Sequence, residues 1–441
     1  MTIYTSNFHL DVPSIDIQHL IEKYPRLRSN CKTTNAYGKR KGDAPFQYDF
    51  TKASNQYDIT ETIVQEYFNV PQYSLHRNKL CPRINNRMEY LSIVENCLME
   101  GIEIYSQFKE NKEPNDRWIV DIGTGSSLIY PILGLKLNER NKFIATEINR
   151  TSIAHINSLL NDELKKRIKL VVIEDNVSNL IPIPKEDVHV SYVVCNPPFY
   201  KDENELKSSE TKKFTKKPNE MVSEHSELYY EDGGEVGFVK RIIDESIIAS
   251  QLPQFQFCWF TSQLGIYDHI SILKEYLTSK SVIQIHEFRI QFKTSRWILA
   301  WSFQDIIHPV RFTSSKKTTS STISQIEIAL NQHFEQIENP HFRYKLIGFA
   351  GTNNKLYVIV NEVIWLRRVR RMLADNKAMI GTSSERTSTS PMFNKSIILR
   401  LYQDSYSSAK YNVEVVSSVN FPDIVTISNS FRSFINTILH Q

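Results

Sequence analysis

The chain has 441 residues, which is room for two or three domains, and its apolar fraction of 41% is enough for ordinary buried cores. A net charge of +4 is too small for a global field, so any nucleic-acid contact must come from local basic patches. Five cysteines with no C-x-x-C pair argue against a disulfide framework or a zinc ribbon, and no metal site is expected. The N-terminus lacks a basic and apolar leader, and no stretch reaches the length of a membrane span, so a soluble intracellular protein is expected.

Residues 1–84 are polar and helix-leaning, with a basic "YGKRKGD" loop at 37–43. They read as an N-terminal, RNA-contacting extension. Over residues 85–308, strand-like runs alternate with helical periodicity. "RWIVDIG", "KFIATEI", "IKLVVIE", "VSYVVCNPP", "FQFCWFTS" and "WILAWSF" read as strands, and "GEVGFVKRIIDESIIAS" and "ISILKEYL" as helices. The strands are almost continuously apolar, as strands covered on both faces are, which predicts a doubly wound α/β sheet. Residues 201–232 are charged and lack apolar periodicity, and read as a long mobile loop. "TSSKKTTSST" at 313–322 reads as a linker. Residues 323–441 then give a helix, a strand pair around "TNNK", a basic helix, a Ser/Thr-rich loop, more strands and a last helix: a separate accessory α+β domain, expected to bind RNA.

The first chemical motif is "WIVDIGTGSS". A strand ends at Asp121, and Gly123 and Gly125 make a tight turn that lets a ligand approach the backbone. Glu147 closes the next strand, where an acid is placed to hold two ribose hydroxyls. The third glycine of a dinucleotide fingerprint is missing, because Leu128 stands there. S-adenosyl-L-methionine has the ribose hydroxyls but no phosphates, and suits this pattern better.

The second motif is "YVVCNPPFYK", residues 192–201. A central strand cannot continue through Pro197 and Pro198, so it ends with Asn196 and Phe199 at its tip. Adenine N6 is a weak nucleophile because its lone pair is delocalised into the ring. Asn196 Oδ1 and the Pro197 carbonyl are suited to accept both amine protons, and Phe199 or Tyr200 to stack on the base.

Together these segments resemble the methyltransferase-like protein 16 family and its bacterial relatives that methylate adenine N6 in large-subunit ribosomal RNA. The resemblance covers about residues 15–305. It is carried by "EKYPRL", "NRMEYLSIVENCL", "DIGTGSSLIYPILG", "ATE", "CNPPFY", "GGEVGFVKRIIDES" and "SRWILAWSF". It implies a class I (Rossmann-like) methyltransferase sheet and an S-adenosyl-L-methionine-dependent enzyme forming N6-methyladenosine in a structured RNA such as U6 small nuclear RNA, with the nucleus favoured as its location. By position, the resemblance places Asn196, Pro197, Pro198 and Phe199 on the target adenine. It places Gly123, Ser127 and Glu147 in the cofactor pocket, where Asp121 and Gly125 are counted with them. Arg87 would pair with the cofactor's methionine carboxylate.

Three basic patches are candidates for phosphate contact. The first is "GKRK", with Lys39, Arg40 and Lys41; the second is "KKFTKK", with Lys212 and Lys213. In the third, "WLRRVRRML", Arg367, Arg368, Arg370 and Arg371 gather opposite an apolar helical face. Two other classes stay open on the residues alone. One is methyl transfer to DNA adenine or another planar amine; the other is RNA binding without turnover on the same fold.

Overall fold

The computed structural model describes residues 4–5, 15–32, 46–99, 102, 116–174, 179–205, 225–291, 295–304, 312–313, 323–336, 344–349, 355–360, 397–404, 407–415, 431 and 433–435. The chain divides into two units, Met1–Asn96 with Pro114–Asp305, and Cys97–Glu113 with Ile306–Gln441. Among the described residues, no helix is long and apolar enough to cross a membrane.

The first unit is built on one sheet. In chain order its strands are β1 (Tyr4–Thr5), β2 (Arg117–Ile122), β3 (Asn141–Glu147), β4 (Ile168–Val172), β5 (Val190–Cys195), β6 (Trp259–Leu264), β7 (Gln284–Gln291) and β8 (Ser295–Ser302). Their spatial order is β1-β7-β8-β6-β5-β2-β3-β4. The pairs among β2, β3, β4, β5 and β6 are all parallel, while β8 runs antiparallel to β6 and β7. The order reverses at β2, which has β3 on one side and β5 on the other. Ligands of open α/β sheets bind at the carboxyl ends of strands at such a switch point.

Burial explains the apolar runs. β2 and β6 are buried at every residue. The helices Gly234–Ala249 and Tyr267–Ser279 place Val239, Ile242, Ile243, Ile270, Leu273 and Leu277 in one core with Val120, Ile122 and Val193. The intervals of three and four are those of one helical face, and each such side chain contributes about 1.5–3 kcal/mol of burial. The helix Ile84–Ile93 packs on the helix Ile129–Leu137, and these two also touch β7 and β3 respectively.

The N-terminal helices are held to the same unit by polar contacts. Within helix Ala53–Tyr67, Tyr57 donates to the Lys79 carbonyl at 2.5 Å, and Glu61 accepts from the Leu75 N–H at 2.8 Å and from Arg77 at 3.0 Å. Further along, Tyr73 donates to the Ser127 carbonyl at 2.9 Å, in the turn after β2.

The second unit carries β9 (Phe312–Thr313), β10 (Tyr344–Phe349), β11 (Lys355–Val360), β12 (Ile397–Asp404) and β13 (Ser407–Val415) as an antiparallel sheet in the order β10-β11-β12-β13-β9. The helix Ile323–Glu335 buries Ile326, Leu330 and Phe334, four residues apart. This is α+β, and β10 and β11 are the antiparallel strand pair expected around "TNNK".

Three details differ from the sequence reading. β7 was not anticipated: "QIHEFRIQ" is laced with polar residues, of which Glu287 is buried because Lys274 pairs with it at 2.9 Å. Thr313, read as the start of a linker, is the last residue of β9 and pairs with Glu414. Part of the expected mobile loop is ordered: His225–Leu228 is helical, and Tyr229 bridges to Tyr200. With only Leu228, Tyr229 and Tyr230 to bury, that piece shows no periodicity.

Candidate active site

The register of the sheet builds the site. Ile122 of β2 pairs with Cys195 of β5, so Gly123 and Asn196 leave the sheet side by side. On the other side of β2, the Thr124 N–H donates to the Thr146 carbonyl at 2.8 Å, which draws the turn against the end of β3 and Glu147. A cavity of about 370 Å³ lies there.

Arg87, Gly123, Gly125, Ser127, Glu147, Asn196 and Pro198 all line the cavity. Asp121, Pro197 and Phe199 were expected with them but are not on its wall. The fully buried Asp121 ends one residue short of it, and Phe199 lies beside the Arg296 guanidinium, 6.0 Å from its ring centroid. The basic-patch residues Lys39, Arg40, Lys41, Lys212, Lys213, Arg367, Arg368, Arg370 and Arg371 lie outside the described residues.

Gly123 and Gly125 both sit at φ +66°, a left-handed conformation that a side chain would strain, and a Cβ at either would meet nothing within 4 Å. The turn therefore presents open backbone to the cavity. The Gly125 N–H donates to Glu147 Oε2 at 2.9 Å; Glu147 Oε1 accepts from the N–H groups of Ile148 at 2.9 Å and Asn149 at 2.8 Å. Three of the roughly four lone-pair sites of the carboxylate are thus used, and the fourth is on Oε2. Burial raises the Glu147 pKa, against the three N–H groups and the nearby Lys79 charge. Lys79, itself buried, donates to Asn149 Oδ1 at 2.9 Å.

Asp121 is pushed up to about 7 by burial, with Thr124 and the Arg87 charge working the other way. Neither oxygen reaches good hydrogen-bond geometry with a partner among the described residues, the nearby Thr124 hydroxyl included. Arg87 comes from the helix Ile84–Ile93, is 8% exposed and donates to Gln263 Oε1 at 2.8 Å, with its guanidinium 5.4 Å from the Tyr130 ring centroid. Gln263 Nε2 in turn donates to Asn196 Oδ1 at 3.2 Å.

The Asn-Pro-Pro-Phe tip is braced from the far side. The Tyr200 N–H donates to the Leu228 carbonyl and the Tyr230 N–H to the Tyr200 carbonyl, both at 2.9 Å. Gly234 permits this approach, since a Cβ there would stand 2.9 Å from the Lys201 nitrogen. Glu235 accepts from the Gly265 N–H at 2.6 Å and pairs with His269 at 2.7 Å. Gly265 also faces Phe199: a Cβ on it would lie 3.5 Å from the ring.

The model of an RNA methyltransferase family matches residues 1–305. The chain belongs to this family. It is similar, at 26% identity over 309 residues, to the U6 small nuclear RNA (adenine-(43)-N(6))-methyltransferase of Schizosaccharomyces pombe, over 67% of this chain and 74% of that one. Ribosomal RNA large subunit methyltransferase F of a Psychrobacter species is 30% identical over 315 residues, covering 66% of this chain and 90% of the relative. Among solved structures, the hMettl16 catalytic domain in complex with MAT2A 3'UTR hairpin 6 matches with a TM-score of 0.55 and 28% identity, over 70% of this chain and all of that one. The sheet is that of a class I, Rossmann-like methyltransferase.

The cofactor of this RNA methyltransferase is S-adenosyl-L-methionine. The residues present fit it. The glycine turn leaves its backbone open, Glu147 keeps one acceptor site on Oε2 for a ribose hydroxyl, and Arg87 offers a guanidinium for a carboxylate. Several residues around the site were not singled out from sequence: Lys79, Tyr229, Tyr230, Glu235 and Gln263. Only Gln263 carried a signal, as an amide ending the polar triplet Thr261-Ser262-Gln263 in an otherwise apolar strand.

Proposed function

We propose that this methyltransferase forms N6-methyladenosine in a structured RNA, with U6 small nuclear RNA as the candidate substrate and the nucleus as its location. The observation that carries the reading is the register Ile122 to Cys195, which sets Asn196 beside the glycine turn at the sheet's switch point. The names of the Schizosaccharomyces pombe relative and of the hairpin-bound hMettl16 structure support the substrate class.

The cofactor supplies an electrophilic methyl group. Arg87 would hold its carboxylate and the free site of Glu147 Oε2 a ribose hydroxyl. Asn196 Oδ1 and the Pro197 carbonyl accept the two protons of the substrate amine. This orients its lone pair toward the methyl group and stabilises the positive charge that develops during attack. Oδ1 has a second lone pair for this, because the bond from Gln263 takes only one. Pro197 and Pro198 hold φ fixed, so the carbonyl is preorganised. Phe199 stacks on the base. With the amine so held, the N–CH3 bond would form as the S–CH3 bond breaks, S-adenosylhomocysteine would be the leaving group, and N6 would then release one proton to water, so no general base is needed before attack. Lys39, Arg40, Lys41, Lys212, Lys213, Arg367, Arg368, Arg370 and Arg371 contribute phosphate contacts that give affinity without sequence information.

The test is to incubate the purified full chain with isotopically labelled S-adenosylmethionine and total cellular RNA, DNA or protein in parallel, then digest each. Label in N6-methyladenosine from RNA is expected. Label confined to DNA or protein would overturn the reading.

A further inference from the structure

Gln263 is the next-to-last residue of β6 and is 1% exposed. A primary amide buried in a central strand is costly unless each of its polar groups finds a partner. Both ends of this one are satisfied, and by side chains from opposite sides of the site. Arg87 Nη1 donates to its oxygen at 2.8 Å, and its amino group donates to Asn196 Oδ1 at 3.2 Å.

The chain of bonds has a direction. A guanidinium has only donors, so Arg87 requires the oxygen end of Gln263. The amino end must then face Asn196, and Asn196 must answer with its oxygen. An asparagine amide alone has two orientations of nearly equal shape, related by exchange of its oxygen and its amino group. Only one presents an acceptor at this vertex. Arg87 and Gln263 select it.

We propose that Gln263 is a positioning residue for methyl transfer. It passes orientation from the residue that grips the cofactor carboxylate to the residue that receives the substrate amine. The proposal rests on the reading of Asn196 as the amine's acceptor. It assigns the amide at position 263 a role that neither an apolar residue nor a carboxylate can fill. Methionine fills the volume but makes neither bond. Glutamate accepts from Arg87 but has no proton for Asn196, and turns the Asn196 amino group toward itself.

The experiment uses the full chain with S-adenosylmethionine and an RNA that the wild type methylates. Gln263→Met and Gln263→Glu are made in the wild type and in an Asn196→Asp background. Aspartate presents an oxygen at either position, so its polarity needs no setting. In the wild-type background kcat is expected to fall on the order of 10-fold to 10²-fold, as for a displaced contact at a reacting centre. KM for RNA and the Kd for S-adenosylhomocysteine should stay within about threefold, since the binding groups remain. In the Asn196→Asp background the further loss from Gln263→Met should largely vanish, which a merely structural role would not produce.

An equal loss in both backgrounds would overturn the proposal, as would a folded Gln263→Glu protein with wild-type kcat. If Gln263→Met fails to fold, the glutamate variant, closer in shape and polarity, carries the same test. If both unfold, Gln263 is a core residue and the proposal fails. A wild-type protein that methylates no RNA adenine would instead remove the functional reading itself.

Discussion

Glu147→Gln replaces one oxygen by one amino group at the end of β3, and the structure sets the size of the effect. The carboxylate takes the Ile148 and Asn149 N–H groups on Oε1 and the Gly125 N–H on Oε2. A glutamine oxygen can serve one side only. If it keeps the two bonds of Oε1, its amino group meets the Gly125 N–H, a donor facing a donor. One lost bond with an unsatisfied partner costs about 1–3 kcal/mol. In a unit of this size that lowers the melting temperature of the unliganded protein by about 2–4 °C per kcal/mol. If Glu147 holds a ribose hydroxyl as proposed, cofactor binding loses a separate contribution, that of a charge-assisted acceptor. At about 1.5–3 kcal/mol for bonds to a charged group, the Kd for S-adenosylhomocysteine should rise by about 10-fold to 10²-fold. Calorimetry gives the affinity and thermal unfolding the stability, so the two are read apart. An affinity unchanged within threefold would refute the assignment of Glu147 to the ribose.

Three further outcomes are expected. Gly125→Ala meets no steric obstacle within 4 Å but must hold φ +66°, so it should cost about 1–2 kcal/mol of stability, and its methyl group, standing where the turn faces the cavity, should weaken cofactor binding, as calorimetry can show. Asp121 is raised to about 7 when folded, against an ordinary value near 4, so its contribution to stability is fully present below about pH 4 and is lost as pH rises through about 7; in Asp121→Asn, unfolding measured from pH 5 to 8 should lose that downward slope. Changing Arg367, Arg368, Arg370 and Arg371 to glutamine should weaken RNA binding across sequences and flatten its salt dependence by about 0.7–0.9 per lost contact, with kcat at saturating RNA little changed; titrations at several salt concentrations beside a rate assay decide it.

Much of the catalytic sheet was legible in the sequence because its central strands are buried on both faces, which forces runs such as "WIVDI" and "YVVC" to be apolar throughout. The turns were legible for a backbone reason: Gly123 and Gly125 are where φ must be positive, and Pro197 and Pro198 are where a strand must stop. β7 was not legible, because an antiparallel strand carrying Glu287 and His286 is apolar only in alternation. The pieces of the site that come from afar were the hardest to see. Lys79 and Gln263 earn their places through Asn149, Arg87 and Asn196, partners 67 to 176 residues away in the chain, and no local spacing records such a pairing. The Tyr229–Tyr230 brace was hidden for a different reason: two backbone hydrogen bonds make it, and these leave no mark in residue type.

The most direct test of the central claim is the rate of methyl transfer by Asn196→Ala at saturating RNA and cofactor, with the N6-methyladenosine formed as the readout. The variant removes the Oδ1 acceptor at the tip of β5 and touches neither Glu147 nor the glycine turn. The account predicts a rate lower by about 10²–10³, the usual cost of losing one preorganised polar contact at a reacting centre, with an unchanged Kd for S-adenosylhomocysteine. A near-normal rate in a folded Asn196→Ala protein would contradict it.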